Sequence, residues 1–113
     1  MGIGIRNATS ADLREVLALI RNVLTTSVEA NAVSIRSFLD NADKNEIWAV
    51  AHPCKCVHLV ATLKGVVVGV VLTKESWNLC TLFVHPSMPG RGVGNLLLGR
   101  AVEAARKANS SRP

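Results

Sequence analysis

The sequence predicts an α+β domain, a mostly antiparallel sheet flanked by helices. Three observations carry that prediction. The first is an apolar stripe at helical spacing near the N-terminus, formed by Leu13, Val16, Leu17, Ile20, Val23 and Leu24. The second is a close succession of β-branched or aliphatic runs, Val57 to Thr62, Val66 to Thr73 and Leu79 to Val84. The third is how little chain joins those runs. Lys64-Gly65 separates the first pair and Lys74 to Asn78 the second. Connections this short favour antiparallel neighbours, so the three strands form a meander.

The elements follow in order. Ile3, Ile5 and Ala8 around Gly4 and Arg6 predict a short first strand. Thr9-Ser10-Ala11-Asp12 reads as a capping box, in which the Asp12 carboxylate reaches back to the cap. The helical stripe comes next, with Arg14, Glu15, Arg21 and Asn22 mostly off it. Thr25-Thr26-Ser27 weakens and ends that helix. Ser34 to Leu39 predicts a second, short helix with Ile35, Phe38 and Leu39 inward, and Asn41 to Asn45 a polar connection. After the meander, His85 to Gly90 is a turn rich in Pro and Gly. A last helix is expected from Arg91 to Ala108, with Val93, Leu97, Ala101, Ala104 and Ala108 on one face. Asn109 to Pro113 reads as a frayed tail.

With 113 residues, the chain is expected to form one domain over 1–113. No repeat, low-complexity segment or linker interrupts it. Hydrophobic residues make up 49% and charged residues 19%, which excludes a disordered chain. The longest apolar run, Val66 to Leu72 with Gly69 admitted, is far short of the ~20 residues of a spanning helix. The opening Met-Gly-Ile-Gly-Ile-Arg has no secretory pattern. Cys54, Cys56 and Cys80 are an odd number and too few for a disulfide framework. A reducing, cytoplasmic setting without a membrane is therefore expected.

The net charge is +5, and it is unevenly spread. Arg91, Arg100, Arg106, Lys107 and Arg112 stand against Glu103 alone in the last 24 residues. Such a bias suits a phosphate-bearing ligand or a nucleic-acid backbone, and equally a solvated helix face with a basic tail. The two Phe and two Trp are too few for a surface that stacks on single-stranded bases, so nucleic acid is disfavoured.

Chemistry concentrates in Leu79 to Leu98, which reads strand, glycine turn, helix. Gly90, Gly92 and Gly94 leave backbone uncovered where a helix begins. Free N–H groups and the positive end of the helix dipole then meet at one point, and Arg91 adds a full charge. The plainer reading is a strand-to-helix turn that uses glycine for close packing. No Gly-Lys-Ser/Thr triplet exists, so a Walker loop is excluded. A dinucleotide fingerprint started at Gly90 or Gly92 would place Asn95 or Leu97 at its last glycine, and is excluded too.

The stretch resembles the coenzyme A loop of the GNAT superfamily of N-acetyltransferases, typically V-x-P-x-x-Q/R-G-x-G-I/V-G-x-x-L-L. Val84, Pro86, Gly90, Gly92, Val93, Gly94, Leu97 and Leu98 fall in register. Gly69 stands where such sequences usually read V-G, and the order of elements matches over most of the chain. The resemblance implies an acyl-CoA N-acyltransferase fold. It also implies transfer of an acetyl group from acetyl-CoA to a primary amine, by direct attack in a ternary complex. Backbone at Leu82, Phe83 and Val84 would pair with the pantetheine arm. Amides of Gly90, Arg91, Gly92, Val93, Gly94 and Asn95 would hold the pyrophosphate. An amide near Leu82 or Phe83 would polarise the thioester carbonyl.

Three departures from the family pattern stand out. Pro89 replaces the Gln/Arg before the first glycine and offers no N–H. Asn78 sits where several members place a glutamate base, and a neutral amide cannot take the proton of an amine. The family normally continues with a fifth strand, a fourth helix and closing strands, often bearing a tyrosine, and this sequence has no tyrosine. Glu75 is then the nearest carboxylate to the expected reaction centre, and His85 the titratable group beside the loop. A turn glutamate and a turn histidine are more often simply solvated. A non-catalytic CoA-binding or interaction module derived from this fold is the alternative function.

His52, Cys54, Cys56 and His58 alternate, but in an extended strand they span ~20 Å and cannot converge on one ion. No metal site is expected. Cys80 reads as a small buried hydrophobe on the core face of its strand, and Trp48 and Trp77 as core or rim anchors. The run Leu79 to Val84 is an apolar edge without Lys or Pro, which predicts a homodimer or swapped pair joined there.

Overall fold

Four strands and three α-helices make up the computed structural model, which describes residues 2–27, 32–74, 78–88 and 92–110. In chain order these are β1 (Ile3–Asn7), α1 (Leu13–Ser27), α2 (Ala32–Ala51), β2 (Cys56–Leu63), β3 (Val66–Lys74), β4 (Asn78–Val84) and α3 (Val93–Ser110). Short 3-10 turns at Ser10–Asp12 and Pro53–Lys55 lead into α1 and β2. The sheet order is β1-β2-β3-β4, and all neighbours are antiparallel. No helix among the described residues is long and apolar enough to cross a membrane.

The meander is as the sequence predicts, and its first turn explains itself. Leu63 pairs with Val66, so only Lys64 and Gly65 reverse the chain. Both have positive φ, 53° and 80°, which matches the right-handed twist of the flanking strands. β3 is buried along nearly its whole length because helices cover both sheet faces. That is why its sequence is a continuous apolar run rather than an alternation.

The sheet separates two cores. On one face α1 and α2 supply Val16, Leu19, Ile20, Leu24 and Ala42 against Val60, Val67 and Val70. On the other, Val93, Leu97 and Ala101 of α3 pack with Met88 on Leu59, Ala61, Val68 and Val71. Polar contacts fix the helices in place. Arg6 of β1 makes a bidentate pair with Asp12 at 2.8 and 2.9 Å. Asp12 also accepts the Thr9 N–H at 2.8 Å, the reach-back that the capping box requires. The Arg6 bonds hold the Asp12 carboxyl well below the usual carboxylate range. Glu15 of α1 accepts the Val67 N–H at 2.8 Å.

The expectations for α2 and α3 need correction. α2 is one continuous helix through Ala51, not a short helix and a polar connection. Leu39, Ala42, Glu46 and Ala49 recur at helical spacing and line its inner side, so packing overrides the polar run around them. Phe38, expected inward, is 56% exposed, and the Ile35 side chain lies outside the described ones. The helical backbone of α3 extends through Asn109 and Ser110, which the sequence assigned to a tail. Its buried residues step by four, Val93, Leu97, Ala101 and Ala105, with Ala104 only half-buried; the Ala108 side chain lies outside the described ones. Helix α3 starts only after Gly92, whose φ of 70° is not helical.

Gly69 sets the distance between α3 and the sheet. A Cβ there would lie 2.8 Å from Leu97 Cδ1 and 3.2 Å from Val93 Cγ1, both fully buried side chains. Gly69→Ala should therefore cost about 1–3 kcal/mol of stability. Gly99→Ala, on the open face of the same helix with nothing within 4 Å, should instead gain up to about 1 kcal/mol. Urea unfolding of both variants checks the contrast, and a Gly69→Ala midpoint equal to the parent's would refute the packing account.

Candidate functional site

The site grows from the end of an edge strand. β4 has β3 on one side and no described strand on the other. Leu82, Phe83 and Val84 pair with Val71, Val70 and Gly69. Their outward backbone groups are free to bond an extended, amide-bearing ligand. Upstream, the register jumps: Leu72 faces Thr81 while Thr73 faces Leu79, so Cys80 is the extra residue of a bulge. This corrects the expected place of Cys80. It is half-buried, its thiol reaching the Asn78 carbonyl at 3.5 Å, and Thr81 is the buried residue of the strand.

Beyond Val84 the chain turns sharply. His85 N–H bonds the Val68 carbonyl at 2.8 Å, adding one more rung to the sheet. Met88 N–H then returns to the His85 carbonyl at 3.0 Å, a β-turn with Pro86 at its second position. Met88 is buried in the α3-side core and anchors the turn. The His85 ring bridges two elements. Its Nδ1 accepts the Ser87 N–H at 3.0 Å and lies 2.8 Å from Ser87 Oγ. Its Nε2 lies 3.3 Å from the side-chain amide of Asn22 on α1.

Helix α3 then opens against the strand end. Leu96 N–H bonds the Gly92 carbonyl at 2.9 Å, so the amides of Val93, Gly94 and Asn95 precede the first helical bond and have no partner within the helix. A Cβ on Gly94 would sit 3.6 Å from Val84 Cγ2, so the first turn rests directly on the end of β4. Strand edge and helix N-terminus thus adjoin, and the helix dipole favours an anion beside the last residues of the strand. Of the expected anion-binding residues, Gly92, Val93, Gly94 and Asn95 are placed here. Gly90 and Arg91 lie outside the described residues, as does Pro89.

The candidates for proton transfer do not share one place. Asn78 is exposed at the start of β4 and His85 follows its end, roughly 20 Å away along an extended strand. Glu75 lies outside the described residues, as does Trp77. Trp48 is a rim residue, stacked on His52 at 4.7 Å with Lys74 Nζ 4.4 Å from its ring centre. The alternating His and Cys residues take separate partners. His52 Nδ1 donates to the Trp48 carbonyl at 2.9 Å, and the Cys56 thiol faces the carbonyls of His52 and Ala49. Burial pushes the Cys56 thiol up, and the charge of Glu46 adds to this, so it stays protonated and a poor nucleophile.

His58 carries a feature that the sequence reading missed. Its Nε2 is 2.8 Å from Glu46 Oε1, and Glu46 is completely buried under α2. A signal existed, since Glu46 sits on the apolar stripe of a helix and His58 within an apolar strand. Asn22, off the apolar stripe of α1, carries no sequence signal for its contact with His85. Two grooves lie away from the strand end. One of about 260 Å³ is lined by Arg6, Leu59, Arg100 and Glu103, and one of about 160 Å³ by Asn7, Ala49, Cys56 and His58. Both border β1 or β2 rather than the end of β4.

Comparison with known proteins bears on this arrangement. The model of the acetyltransferase (GNAT) family matches residues 20–112. The PaiA N-acetyltransferase of Thermoplasma acidophilum, solved with coenzyme A, superposes with a TM-score of 0.77 at 19% identity, over 96% of this chain and 75% of that one. A GCN5-related N-acetyltransferase of Rhodopseudomonas palustris gives 0.77 at 23% identity, over 96% and 69%. A GNAT family acetyltransferase of Brucella melitensis, solved with acetyl-CoA, gives 0.68 at 19% identity, over 95% and 70%. No curated protein matches the chain in sequence. At these identities the structural likeness establishes the fold.

Proposed function

The chain belongs to the GNAT acetyltransferase family, and on that premise we propose that it binds acetyl-CoA and acetylates a primary amine. The observation that carries this reading is the meeting of a strand edge that no described strand covers with amides of α3 that have no partner within the helix. Leu82, Phe83 and Val84 offer alternating N–H and C=O groups to the pantetheine arm. The amides of Gly92, Val93, Gly94 and Asn95, with Gly90 and Arg91, hold the pyrophosphate. Solved relatives that carry coenzyme A or acetyl-CoA support the choice of ligand.

The chemistry assigned to the chain is mostly positioning. A backbone N–H near Leu82 or Phe83 stabilises negative charge on the thioester oxygen as the amine nitrogen attacks. The carbon–nitrogen bond forms, the carbon–sulfur bond breaks, and the thiolate leaves. The amine proton goes to water, or through water to Glu75. Asn78 can orient a donor or acceptor but cannot take the proton. His85 stands at the loop end of β4, with its Nδ1 already occupied. The second reading, a non-catalytic CoA-binding module, draws on Asn78, the neutral amide at the family's base position. The proposed setting is cytoplasmic, in keeping with three free cysteines.

Gly92→Asp tests the phosphate site. A Cβ there meets nothing within 4 Å among the described residues, so Asp would place a carboxylate among the amides. Thermal stabilisation by CoA should be lost in that variant. It should persist in Gly92→Asn, which carries the same backbone strain without the charge. Equal stabilisation of parent and Gly92→Asp would remove the assignment.

The rate of acetyl transfer to a primary amine should rise with pH toward the free-amine pKa of about 10. A profile peaking near neutrality would reveal a dedicated base, with Glu75 the residue to replace first. No transfer to any amine, with CoA binding intact, would favour the non-catalytic module.

The apolar edge of β4, where Leu79 is 47% exposed, should join two copies into a homodimer through its first half, leaving Leu82 to Val84 for the arm. Light scattering at micromolar concentration should report twice the chain mass, and a monodisperse monomer would count against it.

A further inference from the structure

We propose that His85 is the positioning residue of the coenzyme loop, a neutral imidazole that sets the turn from which the loop departs and moors it to α1. This role rests on the acetyl-CoA reading above. The turn His85-Pro86-Ser87-Met88 explains the need for such a group. In turns of this kind the first residue is commonly Asp, Asn or Ser, whose side-chain oxygen accepts the N–H two residues on. His85 makes the same bond with a ring nitrogen, Nδ1 to the Ser87 N–H at 3.0 Å. Without it, that amide would have no side-chain acceptor in a turn that must deliver Met88 into the core.

The donors around the ring fix its state. A backbone N–H can only donate, so Nδ1 must present its lone pair, and the neutral ring carries its hydrogen on Nε2. That nitrogen faces the side-chain amide of Asn22, whose Nδ2 lies 3.3 Å away; a half-turn of the amide would present its oxygen as the acceptor. The ring is thus filled on both sides. One nitrogen serves the turn, the other reaches a helix 63 residues earlier in the chain. With Nδ1 bonded to the Ser87 N–H and Nε2 facing Asn22, the ring is engaged in holding the turn. It acts on the reaction through the loop.

Two substitutions separate this role from the others. His85→Asn keeps an acceptor for the Ser87 N–H, in the geometry that Asn adopts at the first position of such turns. His85→Leu removes it, and because His85 is only half-buried the change leaves no core cavity. Binding of CoA is measured by calorimetry, and amide exchange at Ser87 and Met88 is measured on the ligand-free protein. His85→Leu should weaken CoA about tenfold, the value of one hydrogen bond, and speed exchange at Ser87. His85→Asn should restore both to near the parent. Leu and parent behaving alike in both measurements would overturn the proposal, as would Asn failing as badly as Leu. If the parent itself does not bind CoA, the coenzyme reading falls and this role falls with it, a result distinct from either of those.

Discussion

The structure turns on the bare backbone of Gly69. Because no Cβ stands there, Leu97 and Val93 approach the centre of the sheet closely enough to bury completely. That contact fixes the height of α3 above β3, and with it the place where the helix starts. Gly94 then rests on Val84, and the first amides of α3 lie beside the free edge of β4. A ligand that is part strand-like and part polyanion needs both features side by side. Interiors are packed too densely for α3 to move out by a methyl group without loss elsewhere. The close approach and the ligand geometry are therefore one constraint.

On the opposite face the corresponding contact is polar. Glu46 bonds His58 at 2.8 Å beneath α2, among the small residues Ala42 and Ala49. Glu46 Oε2 and His58 Nδ1 have no hydrogen-bond partner among the described residues. Burying such a pair is costly, and a well-packed apolar pair would often be at least as stable. What the bond supplies is register, because a stripe of alanines slides easily over a sheet and one directed bond does not. It gives α2, whose inner face is otherwise shallow, a single seat on β2.

Much of this was legible in the residues. The spacing of Leu13 to Leu24, the paired runs around Lys64-Gly65 and the capping by Asp12 all report local preferences that tertiary packing reinforces. The passage from β4 to α3 was legible for the same reason, since a helix start beside a strand end is a local event. Where the reading failed, the deciding contact was distant. The polar run in α2 is helical because Ala42, Glu46 and Ala49 face the core, which composition around Asn41 to Asn45 does not reveal. The bulge at Cys80 depends on the register against β3, and no residue type marks it. Asn22 meets His85 across the fold, a pairing that no single-sequence pattern announces.

The pairing of β1 has a kinetic meaning. β2, β3 and β4 follow one another along the chain, so their contacts close short loops. Ile5, by contrast, must find Ala61 with both α1 and α2 in between. Loop closure costs entropy that grows with the length enclosed, and non-local pairing is the slow part of assembling a sheet. The meander is thus the natural nucleus of this topology, with α3 joining it locally. Among the described strands β1 therefore closes the longest loop, and its pairing with β2 carries the largest closure entropy of the sheet.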